Sequence, residues 1–204
     1  MAFTSRTWTT GEVVTAAMMN TIRDDLDYLY AADYGEETVY VPVSAMWAET
    51  GSEPADQAIL DNGTIVHPAR GFDAAADEFL NFNLCMPKRF DNSTIVVKFI
   101  WTVDAGGAAG NVVWAAEAQL LDNDDAIGND PTTQATVTDA WIANMDVHST
   151  DWTGAIGDGT VTDENPFVEF RVGRLGSNGS DTLAGDADLL GVLVRWTSDL
   201  ATDD

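Results

Sequence analysis

Two hydrophobic periods divide this chain. Met19, Ile22, Leu26 and Leu29 are spaced 3, 4 and 3 apart, an a/d seam lasting under two heptads. Thr15 stands before them as an N-cap, so the spacing predicts a helix running to about Tyr30 or Ala32. A lone helix this short is marginal in water. Its stripe, extended by Trp8 toward the N-terminus, therefore needs a partner: its own domain, copies of itself or a neighbouring subunit.

From Thr38 onward the period becomes two. In Thr38–Trp47 the residues Val39, Val41, Val43, Ala45 and Trp47 share a face, and Pro42 marks an edge strand. Thr64–His67 is a short strand. Glu78–Met86, Thr94–Val103, Asn111–Leu121, Ala135–Ala143, Pro166–Arg174 and Leu189–Trp196 follow, separated by Gly, Asp and Asn turns. Trp101 and Trp114 fall on inward faces of neighbouring strands. About eight strands without intervening helices predict a mainly β protein, an antiparallel β-sandwich of jelly-roll type. The change of period divides the chain into an N-terminal helical arm, residues 1–36, hinged at Gly35, and a sandwich domain, residues 37–204.

Composition narrows the choice of partners. The chain has 204 residues, with 9 Lys+Arg against 34 Asp+Glu and a net charge of −25. Nucleic acid and anionic membranes are excluded as direct partners, since both require a basic surface. Lys occurs only at positions 88 and 98. So acidic and Lys-poor a surface is suited to high salt, where screening lengths fall to about 3 Å at 1 M. Cys85 is alone, which excludes an internal disulfide, and its apolar neighbours predict a core position. Met1–Arg6 lacks the apolar core of a secretory signal, so if the protein ends up outside a cell, the expected route is lysis or an assembly.

Little here supports catalysis. His67 and His148 are 81 residues apart, without metal-ligand spacing. Nucleophile elbows, P-loops and Cys–His arrangements are missing. The expectation is a non-enzyme without cofactor. Asp122, Asp124, Asp125 and Asp130 lie in one loop. They read as a solvated acidic turn or as a structural site for Ca²⁺ or another cation, although the EF-hand order fails. Trp141 and Trp152, beside polar turn residues, are candidate ligand-stacking aromatics. Asn62, Asn92 and Asn178 begin glycosylation triplets.

Two stretches carry a family resemblance. Thr7-Trp8-Thr9-Thr10-Gly11-Glu12-Val13-Val14-Thr15-Ala16, with Asn20, Ile22-Arg23-Asp24-Asp25-Leu26 and Leu29, resembles the segment that opens many small structural proteins of tailed viruses. Asp25 stands where that segment commonly has Asn. Phe72-Asp73, Met86-Pro87, Phe90-Asp91, Gly110–Trp114 and Phe170–Arg174 resemble a β-sandwich module of such virion proteins. The resemblance implies a virion structural protein, exposed on the particle surface and often trimeric, without catalytic residues. The expected function is a capsid turret or decoration protein of a virus of a halophilic host. The alternative is a tail-fibre or receptor- or carbohydrate-binding head. Expected partners are further copies of the chain, with a trimer favoured over a pentamer, and virion proteins such as the major capsid protein.

Overall fold

The computed structural model describes residues 10–198, except 12, 34, 62, 107–108 and 128–130. Trp8 and Asp130 lie outside the described residues, and so does the side chain of Leu29. Helix α1 spans Ala16–Asp33. Thr15 caps it: its Oγ1 accepts from the Met18 N–H at 3.3 Å and its carbonyl from the Met19 N–H at 3.1 Å. Met19 and Leu26 are exposed. Among the described residues, Met18 and Ile22 are half-buried, and no α1 side chain belongs to the core.

The alternating segments form β1 (Glu36–Pro42), β2 (Trp47–Ala48), β3 (Ala58–Asp61), β4 (Val66–Phe72), β5 (Asp77–Cys85) and β6 (Phe90–Thr102). After these come β7 (Asn111–Leu121), β8 (Ala135–Ala140), β9 (His148–Ser149), β10 (Phe167–Leu175) and β11 (Ala187–Ser198). One sheet has the order β3-β4-β11-β6-β9, with β1 also on β11; the other has β2-β5-β10-β7-β8. All named strand pairs are antiparallel. Strands β4 to β11 divide between the sheets as β4-β11-β6-β9 over β5-β10-β7-β8. That is the double Greek key of a jelly roll, to which β1, β2 and β3 are added.

The two inner faces close one core. Trp114 of β7 stacks on Phe99 of β6 at 5.1 Å between centroids, meets Phe72 edge-on at 5.3 Å and lies 6.1 Å from Trp101. Trp101 and Trp114 are fully buried. Each large apolar side chain so buried contributes about 1.5–3 kcal/mol before ordering costs. Arg174 also points inward from β10 and is fully buried with Asp181. Its Nε and Nη2 donate to the two Asp181 oxygens at 2.9 and 2.7 Å. The carbonyls of Phe72, Leu183 and Gly185 accept the remaining N–H groups.

Two expectations are corrected. The alternation over 38–47 is not one strand. A 3-10 turn at Val43–Ala45 breaks it, so Trp47 joins the opposite sheet and faces outward. Cys85 is exposed rather than buried, because β5 turns Leu80, Phe82 and Leu84 inward and odd-numbered residues outward.

Candidate functional site: a polar groove on the five-stranded sheet

Register brings Trp47, Asn81, Arg171 and Glu117 into one row across β2, β5, β10 and β7. Asn83, Glu169 and Gln119 form the next row. The inner positions of these strands are apolar, so alternation sends the polar residues to the outer face. All of these except Asn83, with Glu49 and Pro131, line an open groove of about 660 Å³. Three strand intervals of about 4.8 Å separate β2 from β7 along that row.

Arg171 organises the floor. Its Nε donates to Glu49 Oε2 and its Nη2 to Glu49 Oε1 at 3.2 Å. Its Nη1 donates to Glu117 Oε2 at 3.1 Å. Below it, the Phe79 ring centroid lies 3.3 Å from Cζ. Gly173 permits this stacking, because a Cβ there would strike the Glu78 carbonyl and the Phe79 ring. Burial opposes the charge on Arg171, but the hydrogen bonds and charges of Glu49 and Glu117 outweigh it and raise the guanidinium's pKa. Gln134 Nε2 donates to Glu117, and Gln119 Nε2 donates to the Leu120 and Asp158 carbonyls at 3.2 and 3.1 Å. The rim loop is fixed by Asp158, whose carboxylate accepts from the N–H and hydroxyl groups of Thr132 and Thr133.

These groups suit a polyhydroxylated ligand. Trp47, 49% exposed at the edge, offers a flat apolar face to sugar C–H groups. Fixed amides and carboxylates offer donors and acceptors to hydroxyls. Glu49 and Glu117 are both committed to Arg171, an arrangement that holds a surface rigid.

No protein-family model matches the chain, and no curated protein matches it. Among solved structures, the xylan-binding module CBM15 is 14% identical, with a TM-score of 0.44, covering 81% of this chain and 100% of its own. A mannan-recognising carbohydrate-binding module, TmCBM27, is 15% identical at TM-score 0.38, covering 80% and 98%. The family 11 carbohydrate-binding module of Clostridium thermocellum is 9% identical at 0.34, covering 79% and 88%. Scores this low assign this chain neither a family nor a ligand.

The residues singled out from sequence lie elsewhere. Trp141 is half-buried against the core. Trp152 lies by the six-stranded sheet, with Arg195 Cζ 4.3 Å and Lys98 Nζ 5.2 Å from its ring centroid. Neither Trp lines the groove. Asp122 ties two loops: its oxygens accept from the Thr162 N–H and hydroxyl and from the Asp163 N–H. Asp125 accepts from the Asp122 N–H at 2.9 Å, and Asp124 adopts a positive φ of 72°. No cluster of three metal-ligating side chains occurs among the described residues.

The groove residues went unremarked in the sequence, although a signal was present. Asn81 and Asn83 alternate with Leu80, Phe82 and Leu84, and the same alternation marks Glu117 with Gln119 and Glu169 with Arg171.

Proposed function

We propose that this chain is a non-catalytic carbohydrate-binding jelly roll, the receptor-binding head of a virion structural protein of a tailed virus. The groove carries the carbohydrate reading: an exposed Trp47 at one end of a row that continues through Asn81 and Arg171 to Glu117, with Glu117 and the neighbouring Gln119 held by hydrogen bonds. The N-terminal segment Thr7–Leu29, with its resemblance to tailed-virus proteins, supports the virion setting. The acidic composition supports a halophilic host. The groove favours the head over a capsid turret, since decoration needs no ligand surface of this kind.

Affinity electrophoresis against a panel of neutral and acidic polysaccharides, followed by calorimetry on the best, tests the carbohydrate reading. Binding is expected, with W47A weakening it about tenfold or more, a loss of at least about 1.4 kcal/mol. No binding across the panel, or W47A binding like the parent, overturns it. Release of reducing ends on incubation overturns the non-catalytic part. Gold-labelled antibody on particles tests the setting, with label expected on tail fibres.

A further inference from the structure

The two faces of the molecule differ. Opposite the polar groove, the outer face of the six-stranded sheet aligns Tyr40 of β1, Leu193 of β11 and Lys98 of β6, with Val96 and Ile100 on either side of Lys98. Tyr40 lies across Gly191, its hydroxyl donating to the Leu190 carbonyl at 3.0 Å, and remains 48% exposed. Arg195 and Lys98 project from this face over Trp152. Glu36 Oε2 accepts from Arg195 Nη1 at 2.7 Å on the same face, so in a chain of net charge −25 this surface is aromatic and, with Lys98, not acidic.

Helix α1 is its complement. Of its stripe, Met19 and Leu26 are exposed and Ile22 is half-buried. Its sequence has one Arg against four Asp, and Asp25 borders the stripe at helical spacing. An 18-residue helix is about 27 Å long, enough to cross several strands. The chain leaves the sheet at Gly35, whose carbonyl accepts from the Ser198 N–H at 2.9 Å, and no described α1 side chain belongs to the core of its own sandwich. From this pairing of apolar stripe, charge and length, we infer that α1 of one copy docks on the outer face of the six-stranded sheet of a second copy. Each copy gives one helix and receives one. This inference is independent of the carbohydrate reading.

Light scattering with size exclusion, at the lowest salt that keeps the tryptophan fluorescence native, tests it on the full chain. The parent is expected to be oligomeric. K98E/R195E and D24K/D25K are each expected to be monomeric, and their mixture to re-form the oligomer, because each helix then meets a sheet of opposite charge. L26D is expected to be monomeric at every salt concentration. A monomeric parent overturns the inference. So does an oligomer untouched by K98E/R195E, which indicates helix–helix pairing, or a mixture that stays monomeric, which indicates that the substitutions disrupt a contact other than helix on sheet.

Discussion

Arg174 shows how much can depend on one residue. It ends an inward row of apolar side chains, and its fully buried fork holds Asp181 together with the carbonyls of Phe72 at the end of β4 and of Leu183 and Gly185 in the loop. Removing one partner of such a pair leaves a charge stranded in a low dielectric, at about 3–5 kcal/mol. Arg174→Met is therefore expected to lower the urea midpoint sharply. Replacing Asp181 by Leu in the same chain should recover part of that loss. If R174M alone unfolds like the parent, the buried fork is not holding the 176–185 loop. Cys85 makes the opposite case. Its neighbours in sequence suggested a core residue, yet strand parity turns it outward on the groove's face, two residues past Asn83. A thiol reagent is expected to modify it in the native protein at a rate close to that in urea. Protection by more than about 100-fold, the mark of a site reached only by opening, would place it in the core.

At the scale of elements, strands with uninterrupted alternation were legible before the structure: β5, β6, β7, β10 and β11 lie close to where the period of two puts them. β2 and β9 were not, because a strand of two residues contains no period. The position of Trp47 was misread for a related reason. Alternation counts residues, and the 3-10 turn at Val43–Ala45 changes direction without breaking the apolar pattern. The groove was hidden because its residues come from four strands and converge only through register. Within the core, Trp114 of the five-stranded sheet touches three aromatic side chains of the six-stranded sheet, so Trp114→Ala is expected to cost about 3–5 kcal/mol in urea unfolding. A cost of a few tenths would mean that the sheets do not meet there. Trp101 differs, because its Nε1 also donates to Asp139 at 2.9 Å and its ring stacks on His148 at 4.2 Å. Its replacement should loosen the β9 edge as well, visible as faster amide exchange around residues 148–150.

For the whole molecule the governing quantity is charge. The carboxylates pull in two directions. Hydrogen bonds from Thr133 and Thr132 hold Asp158 below the usual carboxylate range, so its contribution is present above that range and is lost as pH falls through its lowered pKa. Burial, with the charges of Asp104 and Asp186, pushes Asp188 up. Its contribution is full below the ordinary value and is lost as pH rises through the raised one, so at neutral pH its ionised form costs stability. Glu78 is raised for the same reasons, burial first and then the charges of Asp73 and Asp186. Added to these local terms is the self-repulsion of 34 acids against 9 bases. Salt screens the repulsion while leaving the hydrogen bonds of Asp158 in place. Raising salt from about 0.1 M to about 3 M shortens the screening length from about 10 Å to below about 3 Å. The thermal midpoint at neutral pH is therefore expected to climb steeply over that range. Asp188→Asn, which removes a charge that burial already disfavours, should flatten the lower part of the climb. Potassium chloride should act much more strongly than sucrose, which stabilises by exclusion without screening. A midpoint flat in salt, or one that sucrose raises equally, would show that repulsion does not limit this fold.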